Sequence, residues 1–274
     1  MQGMGQKLSI RLQAVADFVT PGSVVADIGT DHGFLPIYLV EKGICPRAVA
    51  MDIRQGPLER AREHIAAAGL NDRIQVRLSD GLNGLMQNEA DSAVIAGMGG
   101  LTVIHILEQA QEKLADFKEM VLEPQSDPAK VRSYVREHRM WIDREDLVYE
   151  SGKFYPVLHV CTKQEPAKEQ ARCKARLMQI RNVLLEKLGE EARVQQLFDT
   201  YGEYVIDRGH PALKKMLVRD QKRALEILQA LSKREHTQDA ADARKREVKM
   251  RLEEIRLLLE TEECLICSNL THKD

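Results

Sequence analysis

Aromatic rings are scarce in this chain. Phe, Trp and Tyr make up 4% of its 274 residues. A protein that grips single-stranded nucleic acid chiefly by stacking bases needs more of them. A dominant charge is missing too: 40 Lys and Arg stand against 42 Asp and Glu, for a net charge of -2. Nucleic-acid binding would therefore require basic residues gathered on one face. No apolar run approaches the roughly 20 residues of a membrane span, and the first residues hold no apolar signal core. The five cysteines (Cys45, Cys161, Cys173, Cys264, Cys267) are odd in number and scattered. That pattern argues against a disulfide framework and for a reducing, cytoplasmic location without membrane contact. Cys264 and Cys267 have C-x-x-C spacing, but no second ligand pair stands at zinc spacing, so no metal is expected.

Apolar residues are plentiful enough, at 43%, to build a core. Up to residue 162 they come in short runs separated by amphipathic stretches. Strands are expected at 24–28, 48–51, 74–78, 93–96, 120–122, 141–149 and 155–162. Helices are expected at 36–42, 57–67, 101–113 and 127–138, the last opened by an Asp127-Pro128 cap. Such alternation implies parallel βαβ units with helices on both sheet faces. The last two strands are joined by a short Glu150-to-Lys153 segment, which fits an antiparallel hairpin. The expected fold is α/β and Rossmann-like, a mostly parallel seven-stranded sheet finished by that hairpin.

Composition changes near Lys163, beyond which Lys, Arg, Glu, Gln and Leu dominate. Helices are expected at 167–190, 212–234 and 244–263, with a turn at 236–241. Two long amphipathic helices joined by a polar turn suggest a coiled-coil hairpin. The expected domains are 1–162 (α/β) and 163–274 (helical coiled coil). Monomer is the expected state, although a coiled coil could also pair two chains.

Carboxylates and glycines cluster at the ends of the first four strands, where doubly wound sheets bind ligands. The first strand runs into Asp27-Ile28-Gly29-Thr30-Asp31-His32-Gly33. Gly29 and Gly33 allow a sharp turn and close ligand approach. The pattern is not G-x-G-x-x-G, and its acids would repel a dinucleotide pyrophosphate. They suit S-adenosylmethionine, whose ammonium and sulfonium are positive. Asp52-Ile53 closes the second strand and could hold ribose hydroxyls; Asp80-Gly81-Leu82 follows the third and could meet adenine. Gly97-Met98-Gly99-Gly100 follows the fourth, a small-residue loop where methyl donor and acceptor could meet. Each acid alone could be a turn residue; together they read as one pocket. Phe34 and Tyr38 fit core packing better than a pocket wall, and His32 could cap a helix or line the pocket. His105 is read as packed or snorkelling rather than catalytic.

The run from Asp27 to Pro36 resembles the D-I-G-[ST]-D-H-[AG]-[YF]-L-P signature of bacterial tRNA (adenine-N1)-methyltransferases acting on adenine 22, the TrmK family. Leu8-Ser9-x-Arg11-Leu12, Asp80-Gly81-Leu82 and Ile95-to-Gly100 are similar as well. The likeness covers residues 7–162. It implies a methyltransferase domain, a C-terminal coiled-coil domain, S-adenosylmethionine as cofactor and tRNA as partner. The family's cofactor positions fall on Asp27, Gly29, Asp52, Asp80 and Gly97 to Gly100, and those near substrate on Arg11 and Asp31. Asp31, Arg11 and His32 are thus the candidate catalytic residues. Glu123-Pro124-Gln125 departs from the family's usual Gln-Pro-Asn, so it receives no role. A small-molecule methyltransferase with the same pocket and a non-catalytic RNA-binding protein are the competing readings. Basic residues that could face RNA are Lys7 and Arg11, Arg132, Arg136, His138 and Arg139, and those of the C-terminal helices.

Overall fold

The computed structural model describes residues 7–162, 169–232 and 238–270, with side chains at 7–162, 175–232 and 242–260. Two compact units divide between Gln170 and Ala171.

In the first unit α1 (Ile10–Phe18) precedes β1 (Val25–Ile28), α2 (Phe34–Glu41), β2 (Ala48–Asp52), α3 (Gln55–Ala67) and β3 (Ile74–Leu78). Then come β4 (Ser92–Gly99), α4 (Gly100–Gln109), α5 (Gln111–Leu114), β5 (Glu119–Ser126), α6 (Pro128–Glu137), β6 (Trp141–Glu150) and β7 (Lys153–Cys161). The seven strands form one sheet in the order β3-β2-β1-β4-β5-β7-β6. β1 to β5 are parallel; β7 lies antiparallel between β5 and β6. Strand order reverses beside β1, so a crevice opens over the carboxyl ends of β1 and β4.

Alternation along the strands feeds two cores. Val25 and Val94 pack with Val15, Leu39 and Ile65 on the α1–α3 face. Ala26 and Ile95 pack with Val103, Leu107 and Val135 on the α4–α6 face. The period of two along a strand thus serves two hydrophobic layers. Ser9 caps α1, its Oγ accepting from Leu12 N at 3.2 Å, a bond worth about 1 kcal/mol.

Several boundaries differ from the sequence expectation. β4 continues through Gly99 and β5 through Ser126, past glycines and a proline that read as loop. Asp127 is no side-chain cap. Its backbone is left-handed at φ 50, and its carboxylate meets Lys130 Nζ at 3.0 Å.

The second unit holds the rest of α7 (Glu169–Leu188), then α8 (Glu191–Tyr201), α9 (Glu203–Asp207), α10 (Pro211–Ser232) and α11 (Gln238–Leu270). The sequence expectation names no helix over residues 191–211, where α8 and α9 lie. α11 starts inside the turn expected at 236–241. Ala224 and Leu228 of α10 pack on Val248 and Leu252 of α11, the expected seam. The side chains of Cys173, Cys264 and Cys267 lie outside the described residues. Among the described residues, no helix is long and apolar enough to cross a membrane.

Candidate active site

A cavity of about 440 Å³ opens at the carboxyl ends of β1 to β4. Asp27, Gly29, Asp31, His32, Asp52, Ile53, Asp80, Gly81, Gly97, Met98 and Arg11 all line it. Four other expected site residues lie off its wall, each for a packing reason. Gly33 starts α2 in the left-handed region (φ 73), and a Cβ there would sit 3.2 Å from Ala61 Cβ. Leu82 is in the core. A Cβ on Gly99 would come 3.1 Å from Ser126 Oγ, and one on Gly100 2.5 Å from the Ser126 carbonyl. These positions let neighbouring elements touch.

The first wall is acidic. Asp27 is buried, and loss of water pushes its carboxyl up to about 6, with the Asp52 charge adding to the rise. The loop beyond it bends through Gly29 (φ 77), Asp31 (φ 51) and Gly33 (φ 73). Gly29 N and Thr30 N donate to Met51 O at 2.8 and 2.9 Å, tying the loop to β2. A Cβ on Gly29 would overlap only the movable Met98 methyl, so it is the left-handed backbone at φ 77 that favours glycine here. Asp31 is exposed in spite of its left-handed backbone, a strained arrangement typical of functional loops. Its two carboxylate oxygens lie 3.5 Å from His32 Nε2 and 3.7 Å from Arg60 Nη2.

His32 does not cap α2; Gly33 holds that position without a side-chain bond. The His32 ring stacks on Phe34 at 5.2 Å, and Phe34 on His64 at 5.0 Å. His64 Nδ1 donates to His32 O at 2.9 Å. Phe34 therefore lines the cavity while also touching the core; Tyr38 packs in the core alone.

Asp52 Oδ1 accepts from Arg54 N at 2.9 Å, which fixes the carboxylate at the end of β2. Ile53 beside it is 60% exposed on the wall, an apolar side chain with open space above. Asp80 stands on a turn tied by Ser79 Oγ, which donates to Gly81 O at 2.9 Å and accepts from Gly84 N at 2.8 Å.

On the opposite wall Arg11 and Gly97 stand as expected, but Glu123 and Gln125, to which the sequence assigns no role, join them. Glu123 is fully buried, and its Oε2 accepts from Arg11 Nη1 at 2.5 Å and from Gly97 N at 2.8 Å. Its other oxygen, Oε1, is buried without a partner. Burial pushes the Glu123 carboxyl up, against the pull of Arg11. Gln125, Thr102 and His105 complete this wall. His105 is exposed at the cavity and bonded to Gln109 at 3.0 Å, the snorkelling arrangement rather than the packed one. The sequence did carry one signal here: a proline flanked by Glu and Gln after an apolar run.

One expected basic surface residue is also displaced. Arg132 is buried and paired with Glu145 at 2.6 Å, so it offers nothing to RNA. Away from the cavity, Asp143, His159 and Cys161 place three potential metal donors within 4.8 Å. His159 is already engaged, with Asp143 at 2.5 Å and Glu119 at 2.8 Å. Burial opposes its charge, yet bonds to Asp143, Cys161 and Glu119 raise it to about 10.

A doubly wound sheet with an antiparallel β7, and carboxylates at the ends of β1 and β2, defines the Rossmann-like methyltransferase class. Residues 8–158 match the family described as methyltransferase domain. A tRNA (adenine(22)-N(1))-methyltransferase of Bacillus subtilis is 40% identical over 152 residues, 56% of this chain and 64% of that protein. The match thus spans just under two thirds of that relative's length. The solved structure of the B. subtilis M1A22 tRNA methyltransferase TrmK aligns with a TM-score of 0.74 at 27% identity, over 92% of this chain and 98% of that one. Streptococcus pneumoniae Sp1610 in complex with S-adenosyl-L-methionine gives 0.71 at 27% identity, over 92% and 100%. The chain belongs to the methyltransferase-domain family.

Proposed function

We propose that this protein transfers a methyl group from S-adenosylmethionine to N1 of an adenine in tRNA, adenine 22 by kinship with its B. subtilis relative. The observation that carries the reading is one cavity with two unlike walls. Asp27, Asp52 and Asp80 form an acidic wall; Arg11 and Gln125 form a second wall across Gly97.

The acidic wall suits the cofactor. Asp27, buried beside Asp52, is stabilised as an anion by an arriving cation such as the methionine ammonium. Asp52, held by Arg54 N, can accept from ribose hydroxyls, and exposed Ile53 can cover an adenine face. Asp80 can accept from an exocyclic amine. When bound, S-adenosylmethionine supplies an electrophilic methyl on a sulfonium.

The acceptor needs no base. Neutral adenine already has a lone pair at N1, so the protein must supply position and alignment. N1 lies on the Watson–Crick edge, so the base must be unpaired to reach the cavity. The product base is a cation. Asp31 is exposed at the rim, where its carboxylate can offset that charge. Glu123 neutralises Arg11, which would otherwise repel a cationic base. His32, stacked on Phe34, can wall the base pocket.

Residues 1–162 are proposed as the catalytic domain and 163–274 as a coiled-coil domain that brings tRNA. The proposed setting is a cytoplasmic monomer. The test is tritiated methyl transfer to bulk tRNA, paired with calorimetry of cofactor binding. The reading expects both; binding without transfer to tRNA would favour a small-molecule acceptor, and no binding would favour a non-catalytic RNA-binding role.

A further inference from the structure

We infer that Gln125 is the residue that selects adenine, reading the N6 amine and N7 of the target base and leaving N1 free for transfer. The inference rests on the tRNA adenine-N1 reading above.

The case begins with the ladder between β4 and β5. Ala96 pairs with Glu123, Met98 with Pro124, and Gly99 with Ser126. Gly97 is therefore an extra residue on β4, and Gln125 an extra residue on β5. Two facing bulges in a parallel pair push both residues out of the ladder. Bulges re-aim side chains and gather near active sites. The chemistry explains how the break is tolerated. Pro124 has no N–H to lose. The N–H of Gly97 is satisfied by Glu123 Oε2 at 2.8 Å, not by the ladder.

The bulges shape a slot. Gly97 has φ 81, and a Cβ there would lie 3.7 Å from Arg11 Nη1 and 3.9 Å from Gln125 Nε2. Any side chain at 97 would enter the gap between guanidinium and amide. Arg11 is committed to Glu123. Gln125 is exposed on the cavity wall and forms no hydrogen bond to another described residue.

The amide is suited to one base edge. Its oxygen accepts from an N6 amine while its nitrogen donates to N7, the pairing by which amides recognise adenine. Guanine presents acceptors at both O6 and N7, so one half of the contact becomes a repulsion. The reader must use this edge, because the Watson–Crick edge has to face the methyl. Among the described lining residues, Gln125 is the one amide. The charged and hydroxyl side chains around it lack that fixed acceptor–donor pair.

The test uses tRNA transcripts carrying adenine, 7-deazaadenine or purine at the target position, with the full-length wild type and Gln125→Ala. 7-Deazaadenine lacks the N7 acceptor and purine lacks the N6 amine. Wild-type kcat/KM should fall roughly tenfold or more for each analogue. Gln125→Ala should lose a similar factor on adenine, then treat the three bases within about threefold of one another. Its cofactor affinity by calorimetry should match wild type, which shows that the site is folded. Wild-type activity of Gln125→Ala on adenine, or the full analogue penalty retained in it, would overturn the inference alone. Wild type that makes no 1-methyladenosine would overturn the underlying reading and the inference with it.

Discussion

Burial works against Asp27 in the free protein. Its carboxyl sits near 6, above the usual 3.8, so its contribution to stability is fully present below pH 4 and lost as pH rises through 6. The size of that loss is about 3 kcal/mol. A bound cation reverses the balance. Asp27→Asn should therefore raise the melting temperature of the ligand-free protein at pH 8 while weakening S-adenosylmethionine at least tenfold by calorimetry. Unchanged affinity would remove Asp27 from the cofactor wall. Glu123 acts at the same scale. Glu123→Gln keeps an acceptor for Arg11 and Gly97 but deletes the charge that neutralises Arg11. The expected outcome is kcat lowered about tenfold with cofactor affinity intact, checked by single-turnover kinetics. Asp27, Asp31 and Asp52 were legible in the sequence because acids gathered at neighbouring strand ends repel one another unless a cation sits among them. Glu123 and Gln125 were not, because their roles depend on which β4 residue each one faces.

At the scale of elements, short apolar segments revealed β1, β2, β4 and β5, since buried parallel strands need continuous apolar sequence, and alternation revealed the edge strand β3. The ends of β4 and β5 stayed hidden, because Gly97, Gly99 and Pro124 punctuate a sequence yet here sit in bulged strand. The position of β7 between β5 and β6 was equally invisible to periodicity. Glycines separate by context. Gly100→Ala would drive a Cβ to 2.5 Å from a backbone carbonyl, whereas Gly56 in α3 has nothing within 4 Å. Denaturant unfolding should show Gly100→Ala destabilised by about 1–3 kcal/mol and Gly56→Ala neutral or stabilised by up to about 1 kcal/mol. His159 ties β7 to Glu119 of β5 and Asp143 of β6. With its folded value near 10 against 6.5 unfolded, its contribution is complete below pH 6.5 and lost as pH rises through 10. The melting temperature should fall across that window, and His159→Gln should flatten the fall; an equal slope in both proteins would exclude the network as its cause.

For the whole molecule, the near-zero net charge makes the proposed tRNA binding a matter of how basic residues are distributed. The structure thins the candidate basic surface. Arg132 is buried, and Arg219, Lys222, Arg244 and Lys245 pair with neighbouring acids. If exposed Lys and Arg still hold the tRNA phosphates, affinity should fall linearly in log–log with salt, by ten- to a thousandfold between 50 and 200 mM, on the order set by a handful of phosphate contacts. A flat salt dependence would contradict this. Sequence composition points to a change near Lys163, and the structure divides into two compact units between Gln170 and Ala171.

The most direct measurement is nucleoside mass spectrometry of an unmodified tRNA transcript after incubation with the purified protein and S-adenosylmethionine. The account predicts 1-methyladenosine at a single adenine, position 22. No methylation, or methyl on an exocyclic amine or another base, would contradict it.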